Sequence, residues 1–334
     1  AMHISRFLYL FLSSVFVFTS AYSQQFQWEH LKGPNGGIIG DIKADSKGTL
    51  FAGVYFYRGL FRSYDGGDTW ERLEYAFDEF QVYSIYISPE DHIYVGNNYG
   101  HKIYLSTDGG DTWSTTSEGY ITNECWTLSR TGDSIMTAGD GEFGGIWRST
   151  NRGKSWVRTG DLSIRPIDIQ ATPSGIFLCG SHDGLLRSSD QGITWQRIPG
   201  MQGFSIPDFL IVNDSLIYCG SGYYSNGNGI YRSTDAGLTW QPAGLNNGTV
   251  VLAVEQFSNG ELIAGTKTNG VYISSDNGTN WIGADSTLKK FEVFRLTVNN
   301  DTIFAGMDNG GIFRSVNRGK SFDLIGLPIS GANN

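Results

Sequence analysis

Sustained helical periodicity with caps is missing from every stretch of this chain beyond its first two dozen residues. A basic cluster is missing too. The 24 Lys and Arg are outnumbered by 33 Asp and Glu, for a net charge of −9. That balance argues against nucleic acid or an anionic membrane as partner. Cysteine is scarce, with only Cys125, Cys179 and Cys219, an odd count for a disulfide framework. The five histidines are scattered without the spacing of metal ligands. No phosphate-cradling glycine loop occurs, and the glycines fall in turns. Neither a metal nor a cofactor is expected.

The N-terminus has the make-up of a leader. Arg6 precedes the apolar run FLYLFLSSVFVFTS, and Ala21-Tyr22-Ser23 offers small residues at the −3 and −1 positions. This predicts a signal peptide over residues 1–23, cut before Gln24, and a secreted or periplasmic product. The apolar run is short for a membrane span, and none is expected after cleavage. No cysteine sits at the cut site, so a lipid anchor is not expected.

One phrase then recurs seven times. It reads SYDGGDTW from Ser63, STDGGDTW from Ser106, STNRGKSW from Ser149, SSDQGITW from Ser188, STDAGLTW from Ser233, SSDNGTNW from Ser274 and SVNRGKSF from Ser315. Start-to-start spacings run from 39 to 45 residues, a period that means repeated copies of one supersecondary unit. The third residue is Asp or Asn, which can accept bonds from its own turn. The fifth is always Gly, suited to a positive φ, and the eighth is Trp or, once, Phe322. A calcium site needs six to eight oxygens. One carboxylate or carboxamide per copy falls short of that, so the phrase reads as structural.

Apolar segments flank each copy. TLFAG, ending at Gly53, recurs as HIYVG, SIMTAG, IFLCG, LIYCG, LIAG and TIFAG, and GLFRS-like segments run into the phrase. Period-two alternation favours strands. Four short strands in each of seven units predict an all-β, seven-bladed β-propeller over residues 24–334, one domain and a monomer. Cys179 and Cys219 occupy equivalent positions of adjacent blades, too far apart to bridge, and read as buried thiols. Blade seven has two candidates for its outer strand, SFDLIG from Ser321 and the segment around Trp28. Both are expected to join it.

The phrase resembles the Asp-box, or BNR repeat, S-x-D-x-G-x-T-W. The resemblance covers nearly all of the chain after the leader. Similar repeats occur in sialidases, xyloglucan-degrading glycosidases, sortilin-type receptors and photosystem II assembly-factor-like proteins. It implies that each box lies on the hairpin between the third and fourth strands of a blade. The uninterrupted sevenfold form is most similar to the assembly-factor-like group, which implies a binding or scaffold role. Sialidase chemistry is not expected: Arg197-Ile198-Pro199 matches that family's R-I-P motif but follows the fourth box instead of preceding the first. Arg62, Arg148, Arg187, Arg232 and Arg314 belong to the repeat and read as structural.

Ligands of propellers usually bind opposite the boxes, around the channel. Aligning the repeats sets Asp41, Ser84, Cys125, Asp168, Asp208, Ala253 and Arg295 at one innermost position. Asp41, Asp168, Asp208 and Arg295 are therefore expected to line the channel mouth, flanked by Tyr55, Tyr57, Tyr99, His182 and Tyr223 from variable loops. Aromatics mixed with carboxylates suit a protein or carbohydrate partner. The principal reading is a non-catalytic binding module with no catalytic residue. The alternative, a glycoside hydrolase or polysaccharide lyase, requires a carboxylate pair about 5–10 Å apart.

Overall fold

The computed structural model describes residues 37–325 except 56–58, 74–80, 98–101, 121–123, 142, 162, 223–226 and 309. Seven antiparallel sheets of four strands follow one another along the chain. Blade one shows the pattern: Ile39–Ala44, Leu50–Val54, Gly59–Ser63 and Glu71–Arg72, paired in that order. The second strand is buried throughout, while the outer two-residue strand is exposed. The innermost strands of the other blades are Val82–Ile87, Thr127–Thr131, Pro166–Ala171, Phe209–Ile211, Val251–Gln256 and Val293–Asn299. Each touches its neighbours, and that of blade seven touches that of blade one, so the ring closes.

The core lies between blades. Phe51, Leu60 and Leu73 of blade one pack with Val82, Ile93 and Tyr104 of blade two, and corresponding clusters fill the other seams. The Gly near the end of the second strand marks a close approach of neighbouring blades. A Cβ on Gly180 would lie 2.3 Å from the Ile206 carbonyl oxygen of the next blade, and one on Gly53 2.4 Å from Val82. Cys179 and Cys219 are buried and unbridged, packing as small apolar groups.

Each box sits between the third and fourth strands and satisfies its own turn. In the second copy the Ser106 hydroxyl donates to Asp108 (2.8 Å) and accepts from the Gly110 amide (2.8 Å). The Asp108 carboxylate accepts from the Thr112 amide and hydroxyl, and these bonds hold it down to about 2. Asn151 and Asn317 reproduce the scheme with a side-chain amide donating to Ser155 and Ser321. The box also serves the seam. Arg62, Arg148, Arg187, Arg232 and Arg314 each donate to the backbone carbonyl of the fourth residue of the next box: Gly109, Gln191, Ala236, Asn277 and Gly66. Blade two carries Leu105 at that place, and there the Tyr94 hydroxyl reaches the Arg152 carbonyl instead.

Arg314 makes this contact across the closing seam and also pairs with Asp68 at 2.8 Å. The Thr297 hydroxyl donates to the Ile42 carbonyl over the same seam. Of the two candidates for the last outer strand, the segment from Ser321 supplies it as Asp323–Leu324. The Trp28 segment and the leader lie outside the described residues. Among the described residues no helix is long and apolar enough to cross a membrane.

Candidate functional site

The innermost strands carry a shared irregularity that builds the site. In blades one, two, four, six and seven the pairing with the second strand skips a residue, at Gly40, Tyr83, Ile167, Leu252 and Phe294. Such a bulge re-aims a side chain. The residue after it pairs with the seam Gly: Asp41 with Gly53, Ser84 with Gly96, Asp168 with Gly180, Ala253 with Gly265 and Arg295 with Gly306. In blade three the residue facing Gly139 is Thr127. The alignment that set Cys125 there was two residues out of register. Cys125 instead precedes the strand, its amide donating to the Asn97 carbonyl, as the Val251 amide does to the Ser221 carbonyl.

With Thr127 in place, one chemical rule covers most of this ring. Asp41 accepts the amide of Ile85 (2.8 Å), Thr127 that of Ile169 (2.8 Å), Asp168 that of Phe209 (3.2 Å) and Asp208 that of Val254 (2.8 Å). Each amide belongs to the next blade. The innermost polar groups are thus seam bonds, and at the same time they line the channel. Asp168 also accepts from Thr127 and Gln170.

One residue from this position of every blade borders a central cavity of about 360 Å³, joined one layer down by Lys43, Tyr86, Gln170 and Glu255. Among the described residues lining it, Asp41, Asp168, Asp208 and Glu255 face two cations, Lys43 and Arg295. Lys43 stands 3.6 Å from Asp41, which raises its pKa against the opposing cost of burial. Burial pushes Asp168 up, with Lys43 and Arg295 pulling the other way. Burial and the neighbouring Asp168 push Asp208 well up. Burial takes Glu255 to about 7 despite Lys43.

Above the charged layer the residues directly before the innermost position, with Tyr55 and His182, form a collar. Tyr83 and Trp126 lie with ring centroids 5.5 Å apart, and Trp126 lies 5.9 Å from His182. Tyr55 meets Tyr83 edge-on at 4.7 Å and Phe294 at 6.3 Å. Blade one has Gly40 at its bulge, where a Cβ would lie 2.6 Å from the Tyr55 ring. Glycine there seats Tyr55, which fills the gap in the series. An arc of five rings thus runs from blade seven to blade four. Ile167 and Pro207 continue it as an apolar rim. The Arg295 guanidinium stacks on Phe294 at 4.2 Å. The Trp126 indole donates to Glu124, and burial together with Arg165 lowers the pKa of His182.

The residues named from the sequence therefore divide. Asp41, Asp168, Asp208 and Arg295 converge on the channel, and Tyr55 and His182 belong to the collar above it. Tyr57, Tyr99 and Tyr223 lie outside the described residues. Tyr83, Trp126 and Phe294 were missed. Their only signal was an aromatic directly before the innermost position, which strict alternation places on the wrong side of the strand.

Comparison with known proteins agrees with this architecture. A BNR-Asp box repeat model matches residues 146–159, and a BNR/Asp-box repeat model matches residues 104–115. The chain carries Asp-box repeats on a seven-bladed propeller. It is similar to the extracellular domain of the one-component system BT4673 from B. thetaiotaomicron, at 17% identity and TM-score 0.69, over 85% of this chain and 39% of that one. It is similar to YCF48 bound to D1 peptide, at 18% identity and TM-score 0.68, over 85% of this chain and 95% of that one. A GH74 enzyme from Niastella koreensis matches at 19% identity and TM-score 0.69, over 85% and 53% of the two chains. The chain thus spans about two fifths of the BT4673 domain's length. At these identities the likeness shows the fold. No curated protein matches the sequence.

Proposed function

We propose that this chain is an exported, non-catalytic binding or scaffold propeller that holds a protein segment or a glycan on the face opposite its boxes. The observation that carries the reading is the aromatic arc from Phe294 through Tyr55, Tyr83 and Trp126 to His182. Aromatic rings with one wet side are the groups that dominate binding energy at recognition surfaces. The carboxylates beneath the arc are engaged by backbone amides, which suits a rigid floor better than a proton shuttle. The fold admits the role, since YCF48 is a propeller of this kind with a bound peptide. The leader supports export.

The test is a paired array experiment. The full chain and a Tyr83→Ala/Trp126→Ala variant are passed over peptide and glycan arrays. The wild type should retain a ligand class that the variant loses, while both melt at similar temperatures. Equal retention by the two proteins would dispose of the reading.

A glycosidase is the second reading, and one observation favours it. Glu292 and Asp308 lie on the same face between blades six and seven, linked by the Asp308 amide donating to the Glu292 carbonyl (3.0 Å). Burial pushes both carboxyls up, with Lys267 opposing. Release of reducing sugar from a plant or bacterial polysaccharide, abolished in Glu292→Gln, would establish this reading over the first.

A further inference from the structure

The collar lies over a channel whose charge is not balanced. Among the described residues Lys43 is the cation beside Asp41, whereas neither Asp208 nor Glu255 has an ion-pair partner. These two stand on adjacent blades, with the methyl group of Ala253 between their positions, so space is left beside them. We propose that the collar docks a basic segment of a protein partner, one Lys or Arg side chain of which passes inside the arc of rings to reach Asp208 and Glu255. The proposal rests on the loop-face binding reading above and specifies its partner.

Three features suit that occupant. The half-buried rings of Tyr83 and Trp126 are the surfaces on which a cation gains from the aromatic quadrupole. The molecule already makes such a contact, with the Arg295 guanidinium on Phe294. The apolar rim of Ile167 and Pro207 matches the aliphatic stem of a long basic side chain, which carries its charge at the far end. A norleucine tip would leave both carboxylates uncompensated, and a glutamate tip would add a third. The overall charge of −9 steers basic segments towards the molecule.

A proton should move on docking. Asp41, Lys43, Tyr86, Asp168, Asp208 and Arg295 share the cavity with Glu255, which is held at about 7 by burial. An entering cation favours the ionised carboxyl, so its pKa falls, a proton is released and affinity rises with pH.

The experiment uses the full chain and capped pentapeptides with Lys, Arg, norleucine or Glu at the centre of a Gly frame. Binding is read by calorimetry and by the Trp126 indole resonance. Lys and Arg peptides should bind at least about fivefold tighter than norleucine, and the Glu peptide should bind weakest. Glu255→Gln, which keeps the side chain's shape and an acceptor oxygen, should reduce that preference to less than about twofold and flatten the rise between roughly pH 6 and 8. Equal binding of Lys and norleucine peptides, lost in Tyr83→Ala/Trp126→Ala, would overturn the cationic partner but keep the binding face. Retention of glycans with no peptide binding would overturn it too and leave the reading to its glycan form. No ligand of either class would end both.

Discussion

The fourth residue of each box adopts the left-handed conformation as well as the invariant Gly after it. It is Gly in the first two copies and Arg152, Gln191, Ala236, Asn277 and Arg318 in the rest, with φ between 56° and 60° in those five. A side chain in this region costs roughly 1–2 kcal/mol, less for Asn. At Gln191, Ala236 and Asn277 the cost is accepted because the carbonyl of this residue is the acceptor for the arginine of the preceding blade. Ala236→Gly keeps that carbonyl and removes the strain, against a larger entropy loss on folding. It should raise stability by about 0.5–1 kcal/mol, seen as a higher denaturation midpoint with unchanged slope. A fall in the midpoint would show that the turn is not strained at Ala236.

At the scale of the strand, the periodic features were legible and the aperiodic ones were not. The boxes, the second strands and the seven-unit count follow from repetition, and the buried Cys179 and Cys219 follow from their equivalence to Ala. The bulge does not. An extra residue leaves the apolar pattern almost intact on both sides, so Tyr83 and Phe294 look like ordinary strand residues. In blade three, where the pairing skips nothing, the register was hidden because Cys125 matches the small, buried character sought two positions away from Thr127. The left-handed Arg, Gln and Ala residues carry no local sign either. Seam glycines were legible as Gly, but their strictness comes from the neighbouring blade. Gly180→Ala would drive a methyl group against the Ile206 carbonyl at 2.3 Å. Backbone cannot give way as a side chain does, so the change should cost about 2–3 kcal/mol. Gly203→Ala makes a control for strain alone, since φ is 78° there and nothing lies within 4 Å. If both variants melted together, the seam would have slack that the structure does not show.

For the molecule as a whole, closure depends on one seam that differs from the others. Six seams join consecutive blades, while that between blades seven and one is held by side chains and backbone contacts distant in sequence. Arg314, with Gly66 and Asp68, and Thr297, with Ile42, cross it. Local opening draws on the least protected unit of a structure. Arg314→Ala should therefore speed amide exchange in the first strands of blade one and in blade seven. Arg187→Ala, which removes the matching bond at an ordinary seam, should leave those amides slow. Equal effects on those amides would mean that the closing seam is no weaker than the rest.

The channel ties the stability of the ring to pH, and two sets of carboxyls pull in opposite directions. Arg130, whose side chain is buried, holds Glu90 at about 2 across the seam of blades two and three, and the box turns hold Asp108 at about 2. A carboxyl lowered on folding stabilises above its unfolded pKa, and that stability is lost as pH falls through the folded value. These groups matter below about pH 4.5. Glu255 is raised to about 7, so its contribution is full below the unfolded value near 4.5 and is lost as pH rises through 7. Asp168 and Asp208 act in the same direction. Stability should therefore peak on the acid side of neutrality, near about pH 5. Between there and neutrality Glu255 should account for about 1–2 kcal/mol once channel water is allowed for. Glu255→Gln keeps the shape and removes the charge. Its denaturation midpoint should exceed that of the wild type at pH 8 and match it at pH 5. A wild-type curve that is flat over this range, or a variant parallel to it throughout, would show that the channel does not hold Glu255 away from its ordinary pKa.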